Sequence, residues 1–259
     1  MDPTSKSGPS TLPVQSLVTF PPLTSAPLSI DEWRARTSSA FVQLEIHPLT
    51  PKPFQGRIQT RALDTLSVSL MEHTPAVVAR TAKAVAVSAG DLIKASVQVA
   101  GEAIVEQDSR VALLQPGDFA LYDASRPYTL RFDTDTRMIV FAFSPSALTL
   151  PRTELSHVTA RSFHAATPMG SVVSVFLAGL SRTVMLLDED EAETLARTGL
   201  DLLMSVVSRE LRTELSHDPR SQQLHSIIES IENMLPDPDL TPTMIAEANF
   251  ISTRHLHSL

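Results

Sequence analysis

The sequence predicts an α+β chain of more than one domain, a small β-barrel or sandwich followed by helical segments. Between residues 41 and 143, short apolar runs alternate with turn signals, the pattern of small antiparallel barrels and sandwiches. After Pro151 the apolar residues recur at helical spacing instead. Near the end, two capping residues, Thr241 and Ser252, leave room for two short helices joined by a tight turn.

Residues 1–29 are rich in Pro, Ser and Thr, with Pro3, Pro9, Pro13, Pro21, Pro22 and Pro27 spread through them. Such a segment buries too little apolar surface to offset its chain entropy, so a disordered lead-in is expected. Ser29 followed by Glu32 is a capping-box pattern that opens a short helix carrying Trp33. Ile93, Ala95, Val97 and Val99 alternate with Lys94, Ser96 and Gln98, which reads as a strand with one buried and one solvated face. Ala100-Gly-Glu102 makes a turn, and residues 103–106 return. Gln115-Pro-Gly-Asp118 is a second turn, where proline presets φ and glycine tolerates the positive region. Residues 119–122, 128–132 and 138–143 supply three further strands.

Val173, Phe176, Leu177, Leu180, Val184 and Leu187 fall on one helical stripe. The acidic run 188–193 opens a second helix, since negative charge complements the positive end of the helix dipole. Leu195, Leu202, Leu203, Val206, Leu211 and Leu215 form its apolar face, and His217-Asp-Pro219 ends it. Leu224, Ile227, Ile228, Ile231 and Leu235 make a third stripe. The stripes at 173–187 and 195–215 are wider than one small barrel covers, so one of them is expected to pair with a second copy of the chain.

In the tail, Thr241 caps a helix and Pro242 takes its first position, where the missing donor costs nothing. Ile245, Ala246 and Ala248 give that helix a small apolar face; Ser252 caps a second one, with Leu256 and Leu259 behind it. In a helix-turn-helix, Ala246 sits where the helices approach closely, and Ile251 and Leu256 fill the angle between them. Thr253, Arg254, His257 and Ser258 then face a DNA major groove. Phe250 stands at the turn position that usually takes glycine, where a bulky residue is strained. The other reading is a plain helical hairpin.

An apolar fraction of 42% over 259 residues supports a real core. The absence of cysteine excludes disulfides, thiolate metal sites and cysteine nucleophiles, and fits a reducing cytoplasm. No apolar run reaches transmembrane length and no signal segment opens the chain, so a cytoplasmic protein with no membrane partner is expected. The net charge of −8 opposes DNA binding, and residues 220–259 carry only Arg220 and Arg254 against five acids. His47, His73, His157 and His164 are scattered, without the neighbouring pair and carboxylate that a metal-binding barrel needs. No nucleophile elbow, phosphate loop or dinucleotide fingerprint is present, so no catalytic residue, metal or cofactor is expected. Residues 117–128 form the densest polar-aromatic stretch. There Tyr122 and Arg126 line a pocket for a small carboxylate or aromatic ligand, or Asp123, Ser125 and Arg126 shape a strand connection through local hydrogen bonds, the more usual role.

Two segments in this order carry a resemblance. The stretch Gln115-Pro-Gly-Asp-Phe-Ala-Leu-Tyr-Asp-Ala-Ser-Arg-Pro-Tyr-Thr-Leu-Arg-Phe132, with Val78-Ala-Arg-Thr81 and Gln107-Asp-Ser-Arg110, resembles the sensing domain of AraC/XylS-type transcriptional regulators. Glycine is more usual where Ser109 stands. Residues 237–257 resemble the first helix-turn-helix of the same family. The resemblance implies a cupin-like barrel over 30–150 that binds a small-molecule effector, a helical dimerisation and linker region over 165–217, and an all-α DNA-binding domain begun at 220–259. It further implies a homodimer, promoter DNA read through Thr253, Arg254, His257 and Ser258, RNA polymerase as a partner, and no enzymatic activity. Because the chain stops inside that recognition helix, the reader is expected to be cut short and to give no specific DNA binding alone at physiological salt. Two alternatives stay open: a sensor that dimerises without binding DNA by itself, and a cupin-fold enzyme.

Overall fold

The computed structural model describes residues 23, 25–64, 66–88, 91–148, 152–217, 219–235 and 240–256. The chain divides into two compact units, residues 1–207 and 208–259. Of the expected lead-in, residues 1–22 and 24 lie outside the described residues. Leu28 already pairs with Gly56 through two backbone hydrogen bonds of 2.7 and 3.2 Å, so the chain is tied to the barrel before Ser29.

Helix α1 (Ile30–Ala40) starts as the capping box requires: the Ser29 hydroxyl accepts from the Glu32 amide, and the Glu32 carboxylate accepts from the Ser29 amide at 2.8 Å. The helix buries Trp33 at 1% exposure against Gly56, where an added Cβ would lie 2.4 Å from the indole. Among the described residues ten strands follow: β1 (Glu45–Pro48), β2 (Gly56–Ala62), β3 (Leu66–His73), β4 (Ala76–Arg80), β5 (Ile93–Ala100), β6 (Ala103–Gln107), β7 (Arg110–Leu114), β8 (Phe119–Asp123), β9 (Tyr128–Phe132) and β10 (Thr136–Phe143). They form two five-stranded antiparallel sheets, β1-β4-β9-β6-β7 and β2-β3-β10-β5-β8. One shared core, including Ile46, Val78, Leu114 and Phe132 of the first sheet and Met71, Tyr122, Met138 and Val140 of the second, fills the space between them. A short helix α2 (Ala82–Val87), capped by Thr81, interrupts the strands where periodicity gave no signal. The β6–β7 turn places Asp108 and Ser109 at φ 51° and 62°, the left-handed pair of a two-residue hairpin, which explains why glycine suits position 109.

Strand β5 corrects the expectation of a solvated polar face. Lys94, Ser96 and Gln98 are 2%, 4% and 1% exposed. The alternation is real, but its polar side turns into the barrel. Its apolar side lies under the helices that follow, where Val99, Leu70 and Ile139 share a groove with Ser181, Met185 and Leu186.

Helices α3 (Arg152–Val158), α4 (Pro168–Thr183) and α5 (Glu189–His217) come next. Helix α4 ends before Leu187; the Arg61 guanidinium from β2 donates to the carbonyls of Val184, Leu187 and Asp188 at 2.7–2.9 Å and fixes the turn. The expectation that an apolar stripe of these helices awaits a partner chain is corrected for Leu180 and Leu203, which are buried within the chain at 4% and 0%. Gly199 of α5 lets Leu177, Leu180 and Phe176 of α4 approach closely. The large apolar residues of α4 that remain exposed are Met169, Val172 and Val175, at 37%, 60% and 44%.

The second unit contains α6 (Pro219–Met234), α7 (Pro242–Ala248) and α8 (Thr253–Leu256). Thr241 accepts from the Met244 amide, and Ser252 accepts from the His255 amide, so both sequence-read caps form. The turn between them holds Phe250 at φ 54° and 97% exposed. Asn249 links the turn to α6: its amide oxygen accepts from the hydroxyls of Ser226 and Ser230, and its nitrogen donates to the Ile245 carbonyl.

Candidate functional site

The interior of the barrel holds a cavity of about 30 Å³. Helix α1 contributes Trp33 and Thr37, and its C-cap Phe41, to one wall. The two sheets contribute Met71, His73, Lys94, Tyr122, Tyr128, Leu130, Phe132, Met138 and Val140 among others. Most of this lining is apolar or aromatic, with a few polar groups set into it, which is the usual make-up of a small-molecule site.

Lys94 is the most unusual of those polar groups. The β5–β8 and β5–β10 registers set it beside Tyr122 and Ala142 on the inner face. Its Nζ donates to the Tyr128 hydroxyl at 2.9 Å and lies 4.4 Å from the centre of the Phe41 ring, with the Tyr128 and Tyr122 rings at 5.4 and 5.9 Å. Among the described residues no carboxylate pairs with it. Burial, and then the positive charge of Arg80, push its pKa down to about 7. Tyr122 is hydrogen-bonded to Ser96 at 2.7 Å, and burial moves both tyrosine hydroxyls well above their ordinary value.

His73 lines the same cavity, packed edge-on against Phe132 at 4.7 Å and near Trp33 at 5.5 Å. Burial pushes its pKa down to about 4, so the ring is neutral and its Nδ1 donates to the Thr74 carbonyl at 2.8 Å. Among the described residues no three His, Cys, Asp or Glu side chains gather as a metal site. No described helix is long and apolar enough to cross a membrane.

Of the polar-aromatic stretch, Tyr122 lines the cavity, whereas Arg126 lies outside it and pairs with Asp108 and Asp123. The Ser125 amide donates to Asp123 Oδ1 at 2.8 Å, and the Asp123 amide donates to Gln107 Oε1 at 2.8 Å, so these residues do shape the strand connection. The residues expected to face DNA are partly described: Thr253 is half-buried and Arg254 exposed on α8, while His257 and Ser258 lie outside the described residues. Sequence reasoning missed Lys94, His73 and Tyr128. The one available signal is a lysine among the polar residues of an alternating strand.

Residues 33–207 match the AraC-binding-like domain. The chain is 32% identical over 220 residues to an uncharacterized protein in the nit 5′ region of Bacillus sp. strain OxB-1, covering 83% of this chain and 85% of that one. It is 26% identical over 232 residues to the transcriptional activator NphR of Rhodococcus sp., covering 88% and 69%. The crystal structure of the AraC-like transcriptional activator CuxR superposes with a TM-score of 0.60 at 19% identity, over 86% of this chain and 81% of that one, and shares the fold. With more than half its length matched and these relatives beside it, the chain belongs to the AraC-binding-like domain family.

Proposed function

We propose that the protein is a transcriptional regulator whose barrel senses a small-molecule effector and whose second unit engages promoter DNA. The observation that carries this reading is the aromatic-lined cavity with its buried lysine, lying within the matched segment 33–207. The activators NphR and CuxR support the direction of the output. In this reading α8 presents Thr253 and Arg254 to DNA, with His257 and Ser258 following them in the sequence. Residues 220–259 carry a net charge of −3, so phosphate attraction from this part is slight. RNA polymerase is the partner through which such a regulator acts, and the cytoplasm is where it acts.

Transcript levels of the genes beside its own provide the test. Deleting the gene is expected to change them several-fold. The wild-type protein should restore them, and Arg254→Ala should not. Val78→Phe, which fills the cavity from β4, should restore a level that no longer responds to effector. Unchanged transcripts in the deletion strain reject the reading.

We also infer a homodimer through the exposed row Met169, Val172 and Val175, which three-residue spacing sets along one side of α4. Light scattering at micromolar concentration should give a dimer for the wild type and a monomer for Val172→Glu. A dimer unchanged by that substitution would show that the contact lies elsewhere.

A further inference from the structure

The outer face of the sheet β2-β3-β10-β5-β8 borders a far larger space than the barrel interior. The interior encloses about 30 Å³, room for about one or two waters. The outer groove holds about 580 Å³, within the roughly 300–1,000 Å³ of small-molecule sites. Leu70, Val99 and Ile139, from the adjacent strands β3, β5 and β10, give it an apolar floor. Ser181 of α4, with Met185 and Leu186 of the turn that follows, lines it from the helical side. That turn is fixed by Arg61, whose guanidinium donates to the carbonyls of Val184 and Leu187 at 2.8 and 2.7 Å. Leu23, which also lines the groove, is tied to the sheet, because its amide donates to Glu72 Oε1 at 2.8 Å. Walls held in place before binding cost little ordering entropy on binding.

Charge selects the occupant. The lining carries Arg36, Arg137 and Arg182 against Glu72 alone, a positive surplus in a chain whose net charge is −8. The Glu72 carboxylate is already engaged by the Leu23 amide and by Arg137 Nε, 2.8 Å away. Arg36 of α1 is exposed and forms no ion pair among the described residues. We propose that this groove binds an organic monoanion with a hydrocarbon body, such as a medium-chain carboxylate. The hydrocarbon lies against Leu70, Ile139 and Met185, and the carboxylate meets Arg36. A sugar would leave hydroxyls unpaired on the apolar floor, and a cation would meet charge of its own sign. The inference goes beyond the regulatory reading and does not depend on it.

Met185 lines the groove, so its methyl group reports occupancy by nuclear magnetic resonance. The full chain, carrying ¹³C at its methionine methyls, is titrated with sodium octanoate, with octanamide as the uncharged counterpart, and with sodium chloride at matched ionic strength. Met185→Leu assigns the signal. Octanoate is expected to shift the Met185 methyl saturably. Octanamide should bind about two- to fivefold more weakly, the scale of an exposed ion pair. Arg36→Glu should weaken octanoate by at least that factor and leave octanamide unchanged, a split that a merely structural role for Arg36 does not give. Leu186 is 84% exposed, so Leu186→Glu folds as the wild type does, and it should weaken octanoate by setting a negative charge in the groove. Val172→Glu, outside the groove, should bind octanoate as the wild type does.

The absence of a saturable shift at Met185 overturns the proposal. So does octanoate binding that both Arg36→Glu and Leu186→Glu leave intact, or equal binding of octanoate and octanamide. A groove taken up by the chain's own residues 12–20 would bind octanoate only after Leu17→Asp and Phe20→Asp, and that result rejects the small molecule in favour of the segment. Octanoate binding and transcript levels are separate measurements. If octanoate fails to bind while the deletion strain shows altered transcription, the groove is not a ligand site and the regulator stands. If octanoate binds and transcription is unaffected, the site stands and the regulator does not.

Discussion

Replacing Lys94 with methionine is expected to stabilise the first unit by about 3 kcal/mol at pH 6 and to flatten the dependence of its stability on pH. Folding carries the Lys94 ammonium into an interior where no acid among the described residues pairs with it, and the burial lowers its pKa from 10.5 to about 7. The unfolded chain therefore binds more protons than the folded one between pH 7 and 10.5, and stability must rise with pH across that window. The penalty is present in full below pH 7 and fades as the pH approaches 10.5. Its upper bound is on the order of 5 kcal/mol at 1.36 kcal/mol per pKa unit. Methionine gives up the hydrogen bond to Tyr128, worth about 1 kcal/mol net, and keeps much of the apolar contact with Phe41. Urea unfolding of both proteins at pH 6 and pH 9 decides the matter. The wild type should gain about 2–3 kcal/mol between the two relative to the variant. A wild type no more pH-dependent than Lys94→Met would show that the lysine is not held neutral by the barrel. His73 acts in a separate window: its pKa falls from 6.5 to about 4, so its contribution is whole above pH 6.5 and is lost as the pH falls toward 4.

A buried lysine whose replacement is expected to stabilise the barrel is a position that core packing alone does not account for. That position was poorly legible in the sequence, and β5 shows why. The alternation Ile93-Lys-Ala-Ser-Val97 predicts a strand and β5 forms there, but period two says only that alternate residues share a face, not which face meets water. In this barrel the outer face of the second sheet is covered by later helices, so the polar residues are the inner set. Local signals fared better. The Ser29–Glu32 box, the Thr241 and Ser252 caps and the Gln115–Asp118 turn each depend on residues within a few positions of one another, and each forms. Strand β10 instead lies between β3 and β5, far from either in sequence, and no spacing along the chain announces that pairing. The same non-locality hid the cavity. Trp33, His73, Lys94 and Tyr128 meet only after α1, β3, β5 and β9 are assembled around it. The covered stripes of α4 and α5 followed the same logic, because amphipathicity predicts that a face is buried without naming what buries it.

Arg80→Met is expected to have the opposite effect to Lys94→Met, a loss of about 3–5 kcal/mol, although both remove a buried cation. The difference lies in the partners. Arg80 stands at the end of β4 and its guanidinium joins three separate stretches of chain. Its Nε donates to the Ala124 carbonyl just past β8 at 2.7 Å. Nη1 donates to the Gln43 carbonyl ahead of β1 at 3.0 Å and to the Ser88 hydroxyl at 3.2 Å. Nη2 donates to the Ser88 carbonyl beyond α2 at 2.7 Å. Methionine would leave the buried Ala124 carbonyl and the part-buried Gln43 and Ser88 carbonyls without this donor, and the desolvation penalty of an orphan, about 1–3 kcal/mol, falls mainly on the buried one. Lysine should rescue little, because one ammonium on a flexible stem cannot span the fork that reaches Ala124, Gln43 and Ser88 together. Removing Arg80 also removes the positive charge that helps to depress Lys94, so the pH dependence of what remains should move toward higher pH. Chemical denaturation of Arg80→Met and Arg80→Lys, followed by near-ultraviolet circular dichroism of the barrel aromatics, measures this. A loss below about 1 kcal/mol in Arg80→Met would mean that the carbonyls find other donors. The guanidinium would then be a bystander and not the clasp that holds β4, β8 and α2 around the cavity.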